Sequence, residues 1–238
     1  MTTKAEAVRA MFTRIARRYD LMNSLMTGGR HHAWRRAVAR AAAAAPEGPA
    51  LDLATGTADL ALALRAAAPA RLVVGADFSL GMLREGRAKL AARGARRVPL
   101  LAADALALPF RDGAFACVTS AFLLRNLEDL ERGLAEMRRV TRPGGRVITL
   151  DIVRPAAPVW GALFGVYFRR VVPTIGALVA GDRRAYTYLP RSVERFVTPA
   201  ELAALMEQAG LREVSRRSLG LGTIALHVGV APERVSGR

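Results

Sequence analysis

With 238 residues, 52% of them hydrophobic, the chain builds one large core, or one core with a small appendage. Its single cysteine, Cys117, excludes an intrachain disulfide and any cysteine-rich metal site. The formal charge of +16 favours polyanions or an anionic membrane surface, but the basic clusters are scattered (Arg14–Arg18, Arg30–Arg40, Arg93–Arg97, Arg169–Arg170, Arg216–Arg217) and most read as solvated helix faces.

Three helical patterns open the chain: Ala5–Arg18, Asp20–Met26 and His32–Ala45, the last closed by Pro46-Glu47-Gly48-Pro49. The first is amphipathic, carries Glu6 and lacks an apolar stretch of signal-peptide length, which predicts a cytoplasmic protein. Strands are expected at 50–54, 71–76, 98–102, 115–121 and 145–152, with helices near 58–67, 80–92 and 128–141. That alternation predicts βαβ units and a parallel sheet. Pro143-Gly144-Gly145 reads as a helix stop followed by a strand. From Pro155 to Pro190 no βα unit is evident, yet Trp160, Leu163, Phe164, Tyr167 and Phe168 recur at i, i+3, i+4, i+7 and i+8. This apolar face is too short to span a membrane. It packs on the sheet, walls a greasy substrate or lies on a membrane surface. Thr198-Pro199-Ala200-Glu201 starts a helix that runs to Gln208, and two strands, Glu213–Ser218 and Thr223–Val230, form a closing hairpin around Gly220 and Gly222. The chain is thus read as one domain: a helical cap (1–49), a cofactor-binding core (50–152), an apolar substrate-side insertion (153–197) and a C-terminal helix and hairpin (198–230).

The most informative stretch is Leu51–Leu60, LDLATGTADL: an apolar run, a Thr-Gly-Thr turn and a helix start. This arrangement brings backbone amides close to a ligand. A second run, Leu72–Ala76, ends in Asp77, about 20 residues after the turn, where an acid holds a ribose hydroxyl pair. The segment Gly56-Thr57-Ala58-Asp59-Leu60-Ala61 lacks the later glycines of G-x-G-x-x-G, and the chain has no G-x-x-x-x-G-K-[ST] phosphate loop. A cofactor with ribose and adenine but no phosphate fits best, namely S-adenosylmethionine, with acidic neighbours such as Asp52. The plainer reading is an ordinary βα turn with Asp77 capping the helix that follows Ser79.

Further motifs are FTRIARRYDLMNSLMTGGRHHAWRR (Phe12–Arg36), DALALPFRDGAF (Asp104–Phe115), LRNLED (Leu124–Asp129), EMRRVTRPGGR (Glu136–Arg146) and GDRRAYTYLPRSVERF (Gly181–Phe196). With these, the chain from about residue 11 to 230 resembles the quinone-biosynthesis C-methyltransferases that act on demethylmenaquinol and on the methoxy-benzoquinol precursor of ubiquinone. The resemblance implies a class I S-adenosylmethionine-dependent methyltransferase fold, Rossmann-like α/β with a mostly parallel seven-stranded sheet. It carries over Thr57, Asp77 and the adjoining Phe78 as cofactor contacts, and Ala103, Asp104 and Ala105 as the adenine site. Where the family has Ser-Phe-Gly before Leu-Arg-Asn, this chain has Ala121-Phe122-Leu123. Either the pocket is reshaped for a different ring, or Ser120 and Thr119 take over the polar contact made by the family's serine.

C-methylation of a quinol needs an electron-rich ring carbon aimed at the sulfonium methyl, with the phenolate stabilised by fixed charge or donors. Arg125 and Asn126, after the fourth strand, are expected to hold and orient the phenolate oxygen. Tyr19, Asp20 and Asn23 are expected to supply a proton acceptor or a water-bridged relay. Phe122, Leu123, Trp160, Phe164 and Tyr167 are the expected substrate wall. The adjacent His31 and His32 are expected to face different sides, which argues against a metal site. Leu124-Arg125-Asn126-Leu127 stands where base-methylating enzymes carry Asn/Asp-Pro-Pro-Tyr/Phe, so no specific nucleic acid is expected. The expected partners are a polyprenyl quinol and an anionic membrane surface touched peripherally; the oligomeric state, a homodimer included, stays open. The alternative is an S-adenosylmethionine-dependent methyltransferase for another hydrophobic aromatic or polyketide-like molecule.

Overall fold

The computed structural model describes residues 3–155, 158–177 and 183–233. In chain order these form α1 (Lys4–Ile15), a 3-10 turn (Ala16–Arg18), α2 (Tyr19–Thr27), α3 (Arg30–Ala43), β1 (Ala50–Leu53), α4 (Asp59–Ala67), β2 (Val73–Asp77), α5 (Leu80–Ala92), β3 (Leu100–Ala102), β4 (Phe115–Ala121), a 3-10 turn (Leu124–Asn126), α6 (Leu130–Val140) and β5 (Thr141–Ile152). Then follow α7 (Pro158–Val166), a π-helical turn (Tyr167–Val171), α8 (Val172–Ile175), α9 (Arg183–Glu194), α10 (Pro199–Gln208), β6 (Arg212–Leu219) and β7 (Ile224–Val230).

The strands make one sheet in the order β3-β2-β1-β4-β5-β7-β6. The first five are parallel, and β7 enters antiparallel between β5 and β6. Side chains alternate across the pleat. Leu51, Leu53, Val118 and Val147 face the layer that contains Leu134, Met137, Leu202 and Met206. Ala50, Cys117, Ile148 and Leu150 face the layer of α3 and α4. A third, smaller cluster joins Met11, Ile15 and Met22 of the N-terminal helices to Met82, Val172 and Tyr186. That cluster is the base of a cap over the carboxyl ends of the parallel strands.

Local chemistry explains several boundaries. Thr3 and Glu6 close a capping box on α1, and Thr198 and Glu201 close another on α10. Gly28 and Gly29, both left-handed, turn α2 into α3, so the third helix begins at Arg30 rather than His32. β2 starts at Val73 because its ladder begins opposite Ala50. β5 starts at Thr141, not 145: a register shift between Phe115 and Cys117 absorbs Pro143-Gly144-Gly145 within the strand. The insertion is more helical than expected. α9 runs through Pro190 and fills most of the insertion's second half. Gly181 and Asp182, at the head of the GDRRAYTYLPRSVERF motif, lie outside the described residues.

Candidate active site

The turn after β1 is built from left-handed residues. Ala54, Gly56 and Ala58 have φ of 55°, 55° and 67°. For the two alanines this conformation costs on the order of 1 kcal/mol or more each, so the surroundings must impose it. They do. The Thr55 hydroxyl donates to Asp52 at 2.7 Å, the Thr55 amide donates to the Ala76 carbonyl, and the Ala58 amide donates to the Thr55 carbonyl. Asp77, at the end of the neighbouring strand, accepts from the Gly56 amide at 2.9 Å and from the Ser79 amide at 2.8 Å. Burial pushes the Asp77 carboxyl up to about 6, against the amides of Ser79, Gly56 and Phe78 that pull it down. Burial likewise pushes Asp52 up to about 7, opposed by the Thr55 hydroxyl.

Two cavities open over these strand ends. The smaller, about 120 Å³, is bounded by Gly56, Asp77, Phe78, Ala103, Asp104 and Ala105, with Ala121 and Leu123 at the end of β4. Its roof is α1, through Ala5, Val8 and Phe12. The Ala5 amide donates to Glu128 at 2.7 Å and the Lys4 ammonium to the Leu127 carbonyl, tying this roof to the segment after β4. The larger cavity, about 550 Å³, is walled by Trp160, Phe164, Tyr167 and Phe168 of the insertion, by Tyr186, Tyr188 and Leu189 of α9, and by Asn23 and Met26 of α2. Phe12, Tyr19, Phe122 and Asn126 line both, so the cavities meet there.

That junction is rigidly held. Phe122 is left-handed, with φ 66°, and its amide donates to the Leu150 carbonyl at 2.7 Å. Its ring has the Arg35 guanidinium carbon 5.5 Å from its centre and that of Arg125 at 5.7 Å, two cation–π contacts on one ring. Arg125 donates to the buried Asp151 at 2.6 Å. Asn126 donates to the Phe122 carbonyl at 3.0 Å and accepts from the Tyr188 hydroxyl at 3.2 Å.

Five expectations need correction. Asp52 lies beneath the turn, bonded to Thr55, and lines neither cavity. Thr57 also lies outside both, because its hydroxyl is spent on Asp20 at 2.6 Å and on Lys89. Asp20 is consequently no free proton acceptor: besides Thr57 it holds the Lys89 ammonium at 2.5 Å. Ser120 is buried between Leu53 and Thr149 in the sheet and lines neither cavity. Leu123 lines the smaller cavity rather than the larger. The histidine argument also changes. The rings of His31 and His32 lie 3.9 Å apart, and their donor atoms and Asp59 fall within 4.8 Å of one another. Two cations, Arg35 and Lys89, already sit on Asp59, and His31 contacts both Ser24 and Arg35. Burial first, then Arg35, pushes His31 down to about 4.

Sequence reasoning missed Tyr186 and Tyr188, although both lie within the GDRRAYTYLPRSVERF motif. It also missed Phe12, Asp151 and Lys89. The last two are single charged residues with no local signal: their partners lie 26 or more positions away in sequence.

The comparisons agree with this geometry. The chain matches the ubiE/COQ5 methyltransferase family over residues 1–231. It is 50% identical over 223 residues to a demethylmenaquinone methyltransferase of Thermus thermophilus, covering 93% of this chain and 100% of the relative. It is 42% identical to a ubiquinone/menaquinone biosynthesis C-methyltransferase of Methylobacterium nodulans, covering 95% and 91%. Among solved structures it is similar to a SAM-dependent methyltransferase of Thermotoga maritima, a possible histamine N-methyltransferase, with a TM-score of 0.63, 20% identity and coverage of 93% and 98%. This last likeness shows the fold. The match over residues 1–231 places the chain in the ubiE/COQ5 methyltransferase family, and the two cavities over the strand ends agree with it.

Proposed function

We propose that this enzyme methylates a ring carbon of a polyprenylated quinol, demethylmenaquinol or the methoxy-benzoquinol precursor, using S-adenosylmethionine. One observation carries the reading. In a cavity whose walls are mostly apolar, Asn23 Nδ2, Arg125 Nε and Trp160 Nε1 are buried donors with no hydrogen-bond partner among the described residues. A buried unpaired donor costs about 1–3 kcal/mol. Three of them lining one greasy pocket fit a ligand that is apolar in bulk and carries a few acceptor oxygens, as a hydroquinone with an isoprenoid tail does.

The residues at the smaller cavity suit the cofactor. The amides of Gly56, Ser79 and Phe78 use three of the four lone-pair sites of Asp77, which leaves one for a ribose hydroxyl. Asp104 accepts from the Leu106 amide at 2.9 Å and keeps capacity for an adenine amino group. When bound, the cofactor supplies a methyl group on a cationic sulfonium. Arg125, its charge anchored by Asp151, favours the ionised form of the ring hydroxyl. Asn126, pinned by Phe122 and Tyr188, orients the ring at the junction of the cavities. Tyr19 and Asn23 stand at the same wall to hydrogen-bond the ring hydroxyl and pass its proton to water.

The tail sets the second part of the proposal. Leu163 and Leu221 line the larger cavity and are yet 58% and 70% exposed, so they form its mouth. Leu21 and Leu25 are exposed on the adjoining α2, which the Tyr167 hydroxyl ties to the π-helical turn after α7 through the Met26 carbonyl. Exposed Arg169 and Arg170 follow on the same insertion. No helix among the described residues is long and apolar enough to cross a membrane. We place this rim on an anionic lipid surface. Mass spectrometry after incubation with S-adenosylmethionine and a short-chain demethylmenaquinol tests the activity, with one methyl gained on ring carbon as the expected result. Turnover of other phenols but not of this quinol assigns the alternative acceptor. Co-sedimentation with phosphatidylglycerol vesicles, lost in Leu163→Glu/Leu221→Glu, tests the rim.

A further inference from the structure

Lys89 sits on α5, outside both cavities. Its ammonium lies 2.5 Å from Asp20 Oδ2 and 2.6 Å from Asp59 Oδ1, and donates to Thr57 Oγ1 at 3.0 Å. An ammonium has three donors, and here three acceptors use them. The acceptors belong to three separate pieces of the site. Asp20 is in the first turn of α2, directly after Tyr19; Thr57 is in the left-handed turn; Asp59 opens α4. The Thr57 hydroxyl donates to Asp20 at 2.6 Å and completes the ring of contacts. Close by, Tyr19 Cε1 lies 4.0 Å from the point a Cβ on Gly56 would occupy, so the Tyr19 ring packs on the turn itself.

We propose that Lys89 is a positioning residue for methyl transfer: it clamps α2 onto the turn and thereby fixes Tyr19 at the meeting point of the two cavities. The inference rests on the methyltransferase reading for its kinetic consequence, though not for its structural one. The two carboxylates share one nitrogen, so their oxygens lie within about 5 Å of each other, where like charges repel unless neutralised. Asp59 has a second cation, Arg35, at 3.9 Å. Among the described residues, the hydrogen-bonding and ion-pair partners of Asp20 are the Thr57 hydroxyl and Lys89. Loss of the ammonium therefore leaves the imbalance on Asp20, and α2 is the element that moves. Arg35 and its stack on Phe122 stay in place, which separates the substrate side from the cofactor side.

Lys89→Met is the test, with three readouts. Turnover at saturating concentrations falls about tenfold or more, while the Kd of S-adenosylhomocysteine stays within about threefold. Lys89→Met/Asp20→Asn recovers much of the lost turnover, because the amide still accepts from Thr57 without a stranded charge. Amide hydrogen exchange in residues 19–27 speeds up about tenfold in the single variant and returns toward wild type in the double. Unchanged turnover, cofactor affinity that falls in step with turnover, or a double variant no better than the single overturns the inference. Unchanged exchange in α2 overturns it whatever the activity. Wild-type protein that methylates no phenol defeats the methyltransferase reading instead, and the exchange experiment still decides the clamp.

Discussion

The two cavities are made of different material. The smaller is backbone: strand ends, a turn in which three of five residues are left-handed, and two carboxylates whose oxygens answer main-chain amides. The larger is side chain: aromatic rings brought in by helices far apart in sequence, α2 near the start and α7 and α9 beyond β5. A site built from main chain binds by fixed geometry and tolerates variation in what surrounds it. A site built from converging helices is only as precise as the contacts that hold those helices. In this molecule the helices meet in an apolar cluster around Met22 and Val172, and polar contacts such as Tyr167 on Met26, Tyr188 on Asn126 and Lys89 on Asp20 fix their register.

Substitutions separate the two. The largest effect is expected at the junction. Arg125→Ala removes the charge proposed to face the reacting ring and strands Asp151, which is 1% exposed. Turnover falls by about a thousandfold, and stability falls by about 3–5 kcal/mol because a buried carboxylate loses its partner. Arg125→Gln/Asp151→Asn removes both charges, keeps the fold and isolates the catalytic loss. In either variant that folds, S-adenosylhomocysteine binds with affinity close to wild type by calorimetry; a parallel loss of binding would merge the two sites into one.

Asp77→Ala tests the other side, with cofactor affinity reduced about a hundredfold and quinol KM unchanged at saturating cofactor. Its pH dependence sharpens the point. The carboxyl titrates near 6, and a ribose hydroxyl donates to the ionised form. Affinity is therefore constant well above pH 6 and falls as the pH drops through it, by up to about tenfold per unit. Asp77→Asn binds more weakly with a flat profile. An inflection near 7 that survives in this variant belongs to Asp52 beneath the turn, whose titration moves the Thr55 hydroxyl.

The same division decides what was legible in the sequence. Apolar runs punctuated by glycine and aspartate announce strands and turns locally, so the parallel sheet, the closing hairpin and the positions of Gly56, Asp77 and Asp104 could be read from short windows. The aromatic face from Trp160 to Phe168 was readable too, by its spacing alone, even though its last residues fall in a π-helical turn. What was not readable was pairing. Asp20 looks like a free acid beside a tyrosine until a lysine 69 positions away is found on it. Adjacent histidines look divergent until a helix start and Arg35 bring their rings together. Proline at 190 argues for a boundary, and tertiary packing of Tyr186 and Leu189 in the cap overrides it.

Tyr188 gives the smallest and most discriminating effect. Its hydroxyl donates to Asn126 Oδ1 at 3.2 Å, so Tyr188→Phe frees one end of the amide that orients the ring. A single neutral hydrogen bond is worth about 1 kcal/mol, which corresponds to a three- to fivefold loss of turnover with cofactor affinity untouched. The shape of the pH profile then separates orientation from proton transfer. Burial pushes the Tyr188 hydroxyl above its ordinary 10.0, with Arg125 only partly opposing. It stays protonated throughout an assay from pH 6 to 9 and acts as a donor at every point. The deficit in Tyr188→Phe is therefore the same at each pH. A deficit that grows as the pH rises would instead make the Tyr188 tyrosinate the acceptor of the quinol proton, and would move the chemistry from the α2 wall to α9.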